Sequence, residues 1–148
     1  MERRKFLFGG VALAAVGWVG LHVVGTRRVG SPCLGESARA TLEAAFEVLL
    51  PDGAKAAAYA EGVDTFLAAG DPAAAAQLRL ALGVLEHAGL VPFSRRSPEA
   101  RVEVLRAWER SRWALKRQIF QGLRRTASFS WYADAGSWGA IGYDGPWA

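Results

Sequence analysis

The stretch DPAAAAQLRLALGVLEHAG, residues 71–89, decides the fold class because it carries a helix start, a helical body and an end. The carboxylate of Asp71 can cap a helix, and Pro72 supplies the fixed φ of a first helical position. Apolar side chains then recur at helical spacing, and the expected inward set is Leu78, Leu82, Leu85 and, as a fourth candidate, Leu80. The run predicts a helix that frays near Gly89.

The same pattern recurs on both sides of this run. Upstream, we predict a helix capped by Ser37 and stopped by Pro51, then an alanine-rich helical stretch broken at Gly62. Downstream, Ser97 and Pro98 repeat the cap for a fourth helix, and a fifth either follows it or continues it. In the first of these helices the expected core face is Leu42, Ala45, Phe46, Leu49 and Leu50, and the apolar residues that mark the other helices are Val63, Phe66, Leu67, Val102, Leu105, Ala107, Trp108, Trp113, Leu115, Ile119, Phe120 and Leu123. We therefore predict an all-α chain, a small bundle of about five helices with no strand pair and no internal repeat.

The position of the charges argues against nucleic acid as a partner. The chain has 148 residues and a formal net charge of +4. Residues 1–28 carry all of this excess, so the part from residue 29 onward is neutral. Nucleic-acid binding depends on clustered excess positive charge, and this distribution removes its main support.

Within the neutral part, acids and bases are separated along the chain. Residues 34–94 hold three basic and eight acidic groups, whereas residues 95–125 hold ten basic and three acidic groups. Complementary helices inside the bundle would explain both segments. An arginine-rich face that docks a larger acidic partner is the alternative. Internal pairing predicts contacts between arginines and acids within the chain, and docking predicts arginines left without an acidic partner on one face.

The N-terminus, MERRKFLFGGVALAAVGWVGLHVVG at residues 1–25, is a charged start followed by an apolar run. Such a segment is a targeting signal and does not belong to the fold. Four residues, Arg3, Arg4, Phe6 and Leu7, match the core of the twin-arginine signal of bacterial proteins that are exported already folded. About twenty apolar residues could cross a bilayer, so we leave open whether the segment is cleaved or remains as an anchor helix. We expect a signal or anchor at 1–28, a linker at 29–36, the bundle at 37–127 and a tail at 128–148.

Candidate catalytic residues are few. Outside the targeting segment the only histidine is His87, which falls at a helix end, and the only cysteine is Cys33. These two cannot form a nucleophile with its base, or a zinc or haem site of ordinary composition. The acids Asp52, Glu61 and Asp64 are most simply caps or solvated charges. We expect no catalytic residue, no metal ligand and no cofactor bound by this chain.

The C-terminal tail has a different composition from the helices. It ends in WGAIGYDGPWA, residues 138–148, whose glycines and proline disfavour regular structure. Six of the sixteen aromatic residues of the chain lie from Phe129 onward, and aromatic side chains are costly to leave in water. Aromatics on an irregular backbone either clamp the chain's own core or form the centre of an interface. The residues alone leave these two alternatives open.

Four parts of the chain together resemble the gluconate 2-dehydrogenase subunit 3 family. They are the twin-arginine start, the LPDG of residues 50–53, the GVDTF of residues 62–66 and the tail from Tyr132 to Trp147. The resemblance implies the small subunit of a bacterial, membrane-associated, FAD-dependent sugar dehydrogenase. In such complexes a large flavoprotein of the glucose-methanol-choline type binds FAD, and a multihaem cytochrome c subunit often accepts the electrons.

The resemblance also implies an accessory role. The small subunit would act as chaperone and escort of the folded flavoprotein through the twin-arginine translocase into the periplasm. The residues expected at the partner interface are Trp131, Tyr132, Trp138, Ile141, Tyr143, Gly145, Pro146 and Trp147. Two alternatives remain from other classes, a transient membrane-anchored assembly factor and a free-standing periplasmic enzyme.

Overall fold

A computed structural model describes residues 33–51 and 53–144, and within them the chain is all-helical, with six α-helices and no strand. The prediction of an all-α fold is thus confirmed for this part. The helices are α1 (Glu36–Leu49), α2 (Ala56–Ala68), α3 (Pro72–Glu86), α4 (Pro98–Glu109), α5 (Ala114–Ala133) and α6 (Ala135–Trp138). Short 3₁₀ turns span Gly53–Lys55, Phe93–Arg95 and Gly139–Ile141.

Helix α1 lies at the centre of the fold. It contacts α2, α3, α4 and α5, as well as the first two 3₁₀ turns. Its Leu42, Ala45 and Phe46 are completely buried, which withdraws most of its apolar surface from water. Of the other apolar residues named from the sequence, those that are buried are Leu50, Val63, Leu67, Leu78, Leu82, Leu85, Leu105, Trp108, Ile119, Phe120 and Leu123.

Two of the three predicted caps are present. The Asp71 carboxylate accepts a hydrogen bond from the backbone N–H of Ala73 at 2.9 Å, and Ser97 Oγ accepts one from Ala100 at 3.3 Å. Ser37 is not the cap of α1, because the helix begins one residue earlier, at Glu36. Gly35 occupies the cap position with φ 79°, a conformation that favours glycine.

Two expectations for the helices, a break at Gly62 and an inward Leu80, are wrong, each for a local reason. Gly62 does not break α2, because it lies on an exposed part of the helix where no packing is lost. Leu80 is 72% exposed, since two residues from Leu78 correspond to about 200° around the helix. Ala107 of α4 is exposed as well. Trp113 and Leu115 are also exposed; α5 is separate from α4, and both residues lie where α5 starts.

The aromatic tail begins as regular helix. Helix α5 extends to Ala133, so Phe129, Trp131 and Tyr132 are helical, and only the residues after Asp134 form short turns. Aromatic residues reduce helix propensity only slightly, whereas the glycines that disfavour a helix start at Gly136.

No described helix combines the length and the apolar character needed to span a membrane. Several of the sequence predictions lie outside the described residues. They concern the export signal at Arg3, Arg4, Phe6 and Leu7, the carboxylate of Asp52, and the tail positions Gly145, Pro146 and Trp147.

Substitution of alanine for each of two glycines should change the stability of the fold in opposite directions. A Cβ on Gly53 would lie 2.7 Å from the carbonyl oxygen of Glu47 in α1, so we expect Gly53→Ala to destabilise the chain by about 1–3 kcal/mol. A Cβ on Gly62 meets nothing within 4 Å, so we expect Gly62→Ala to stabilise it by about 0.5–1 kcal/mol. Urea unfolding of both variants measures the free energies, and a shift of the same sign in both would contradict this packing.

Candidate functional site: an aromatic surface at the C-terminal end

The C-terminal segment is attached to the bundle through the carboxylate of Asp134. This residue ends α5 and caps α6, accepting a hydrogen bond from the backbone N–H of Gly136 at 2.9 Å. Its other oxygen lies 2.9 Å from Lys55 Nζ and 2.8 Å from the hydroxyl of Tyr59, which donates to it. Because Lys55 precedes α2 and Tyr59 lies within it, these bonds tie the end of α5 to α2.

The environment of Asp134 favours its charged form. The hydrogen bond from Lys55, followed by those from Gly136 and Tyr59, lowers the pKa of Asp134 from 3.8 to about 2. A carboxylate that accepts several hydrogen bonds and faces an ammonium group resists protonation. The connection to α2 is therefore intact at neutral pH.

Local contacts order the residues after Asp134. The hydroxyl of Ser137 lies 2.6 Å from the carbonyl oxygen of Trp131. The indole N–H of Trp138 donates to the carbonyl of Tyr132 at 2.8 Å, and the Trp138 and Tyr143 rings meet edge to face with centroids 5.3 Å apart. Gly142, at φ 68°, makes the turn that brings Tyr143 back towards Trp138.

The predicted interface residues divide into two groups. Trp131 packs against the core and belongs to the chain's own interior. Tyr132, Ile141 and Tyr143 are 56%, 48% and 44% exposed, and Trp138 lies half-buried beside them. We call Tyr132, Trp138, Ile141 and Tyr143 the aromatic surface. An internal clamp and an exposed apolar surface thus coexist in one segment, carried by different side chains.

Sequence reasoning missed the residues that hold this segment in place. Asp134 stands before the small residues Ala135, Gly136 and Ser137, which is a readable helix-start signal. Its partners Lys55 and Tyr59 are 79 and 75 residues away along the chain, and nothing in the local pattern indicates that pairing.

Of the candidate catalytic residues that the structure describes, Asp64, Cys33 and His87 have structural contacts and Glu61 is exposed. Asp64 is buried, and one of its oxygens accepts the backbone N–H groups of Cys33 and Leu34, both at 2.9 Å. Burial raises the pKa of the Cys33 thiol, which disfavours the nucleophilic thiolate. His87 ends α3, with Nδ1 2.9 Å from the carbonyl oxygen of Gly83. Among residues 33–51 and 53–144, no three His, Cys, Asp or Glu side chains are grouped as a metal site.

Protonation of Asp134 should loosen the aromatic surface. Its folded-state pKa is depressed, so the stabilisation is present above the ordinary value of 3.8 and is lost as the pH falls towards about 2. We expect the NMR signal of the Trp138 indole N–H to shift through this window, and to be displaced already at neutral pH in Asp134→Asn. Asp144→Asn, at an exposed position on the same segment, is the matched control. An indole signal that is identical in wild type and Asp134→Asn would contradict the role of Asp134.

Comparisons of this chain with protein-family models, curated proteins and solved structures find no match. The functional interpretation therefore depends on the geometry of the aromatic surface, on the charges of the described residues and on the sequence motifs.

Proposed function

We propose that this chain is the non-catalytic small subunit of a membrane-associated, FAD-dependent sugar dehydrogenase, of the glucose or gluconate type. In this role it is the chaperone of the catalytic flavoprotein and its escort through the twin-arginine pathway. The observation that carries the proposal is the aromatic surface, an exposed apolar patch on a segment ordered by the Asp134 contacts.

An ordered aromatic patch suits a partner interface. Tyrosine and tryptophan dominate the energetic centres of protein interfaces because they bury a large area at a low cost in side-chain entropy. In the aromatic surface the backbone is already held by Ser137 and Trp138, so little further ordering is needed on binding. Tyr132 and Tyr143 would insert into the flavoprotein as its principal anchors.

Two of the other motifs behind the family resemblance, LPDG and GVDTF, have roles inside the fold, whereas the described part of the tail exposes Tyr132, Ile141 and Tyr143. In LPDG, Leu50 is buried and Gly53 allows the chain to pass close to α1. In GVDTF, Val63 is buried and Asp64 binds the backbone at the start of the described chain.

The proposal assigns the chemistry to partner proteins. FAD belongs to the large glucose-methanol-choline-type subunit, and haem c to a multihaem cytochrome subunit that receives the electrons. Arg3, Arg4, Phe6 and Leu7 would engage the translocase, with the apolar run after them serving as a cleaved signal or an inner-membrane anchor. FAD insertion requires a folded flavoprotein, and export in the folded state is what the twin-arginine pathway provides. The complex would work in the periplasm.

Co-expression with a candidate flavoprotein, purified through the large subunit, tests the proposal. We expect the small chain to co-purify, and each of Tyr132→Ala and Tyr143→Ala to weaken the complex roughly tenfold or more. Trp113→Ala removes an even more exposed aromatic side chain from the other end of α5 and is the matched control. If the small chain does not co-purify, and the flavoprotein reaches the periplasm with FAD without it, the proposal fails. If the small chain binds the flavoprotein during assembly but is absent from the purified active complex, the small chain is a transient assembly factor instead.

The export signal gives a second prediction. The double substitution Arg3→Lys with Arg4→Lys retains the positive charge but removes the arginine pair, so we expect both the small chain and the flavoprotein to remain in the cytoplasm. Cell fractionation with an assay of dehydrogenase activity measures this. Normal periplasmic activity of the double variant would exclude a twin-arginine signal.

A further inference from the structure

We propose that the α4–α5 turn, taken as residues 110–117 and so including the first four residues of α5, contacts an anionic phospholipid surface. This inference is independent of the identity of the flavoprotein partner. It starts from two large apolar side chains that the structure leaves exposed to solvent. Trp113 is 64% exposed and Leu115 is 56% exposed, and both are too large to be left in water without cost.

Cationic residues flank Trp113 and Leu115 in the sequence. The segment RSRWALKR, residues 110–117, contains Arg110, Arg112, Lys116 and Arg117 and no acidic residue. The three arginines are exposed, and Lys116 lies half-buried with Nζ 5.7 Å from the centroid of the Trp108 ring. The turn is ordered, since the backbone N–H of Trp113 donates to Ser111 Oγ at 3.2 Å and Arg117 donates to the carbonyl of Ser111.

None of the ion pairs found among the described residues includes a cation of this turn. The ion pairs found within residues 33–51 and 53–144 join Lys55 to Asp134, Arg101 to Glu47 and Arg124 to Glu109. Only the pair of Arg101 with Glu47 joins the basic segment 95–125 to the acidic segment 34–94. Internal pairing therefore explains little of the charge separation, and the four cations of the turn remain available to an external anion.

A lipid surface fits the mixture of these groups better than an acidic protein does. Tryptophan and leucine partition into the boundary between headgroups and acyl chains, while arginine and lysine stay at the level of the phosphates. Each cation near an anionic surface strengthens binding roughly fivefold and needs no fixed arrangement of acids opposite it. An acidic protein would have to match the position of every cation.

The turn and the aromatic surface lie far enough apart for one to contact a bilayer while the other binds a protein. The turn lies at the start of α5, and the aromatic surface lies at and beyond its end. A helix of 20 residues is about 30 Å long, so a bilayer at one end does not obstruct a protein bound at the other.

Hydrogen exchange of the full chain, followed by mass spectrometry, tests this inference locally. The chain is mixed with vesicles of phosphatidylcholine alone or of phosphatidylcholine with phosphatidylglycerol. The apolar N-terminus can attach the chain to either vesicle, but the amides of residues 110–117 report only on the turn. We expect severalfold slower exchange there on the anionic vesicles alone, with the protection decreasing as salt is added.

Variants separate lipid contact from other causes of protection. Arg110→Gln with Arg112→Gln removes two exposed charges, so it should weaken binding of the turn to anionic vesicles roughly 30-fold and abolish the slower exchange. Tyr143→Ala, in the aromatic surface, is the control and should leave the effect unchanged. Equal exchange on both vesicles would overturn the inference. So would protection of the turn by polyglutamate but not by anionic vesicles, which would assign the turn to an acidic protein.

Discussion

The buried carboxylate of Glu86 sets the path of the chain around the central helix α1. Glu86 ends α3, and its oxygens lie 2.9 Å from the Thr41 hydroxyl of α1 and 2.9 Å and 2.6 Å from the backbone N–H and hydroxyl of Ser94. Burial by itself raises the pKa of Glu86, but the hydrogen bonds from Ser94 and Thr41 outweigh it and leave the pKa below its ordinary value. The turn that contains Ser94 leads into α4, so this carboxylate also directs α4 and α5.

A carboxylate also accepts backbone N–H groups at two other places, both beside the start of a helix. Asp64 accepts the backbone N–H groups that precede α1, and Asp134 accepts the one that begins α6. A buried or partly buried carboxylate is costly unless it is hydrogen-bonded, and a short segment without helical bonds has free N–H groups to offer. Each carboxylate is thus hydrogen-bonded, and the backbone N–H groups that it accepts are ones that lack a partner within a helix.

The sequence predicted the parts of the fold that depend on local chemistry. Helix starts at Asp71 and Ser97 follow from residues that contact their own neighbours, and the buried leucines of α3 follow from the helical period. The sequence did not predict the features that depend on tertiary contacts. Nothing near Trp113 indicates that α5 begins there with its side chain outward, and the contact of Asp134 with Tyr59 spans 75 residues. For the candidate site, the aromatic residues could be named in advance, but their division between the core and the surface depends on how α5 ends.

The bonds of Asp64 have a mechanical consequence. Because one carboxylate oxygen in α2 holds the backbone of both Cys33 and Leu34, a pulling force on the residues before them enters the fold through α2. These two hydrogen bonds must break before the full force reaches the first turn of α1. Tension along the N-terminal segment is thereby shared with the interior, and α1 is protected from being peeled away from its end.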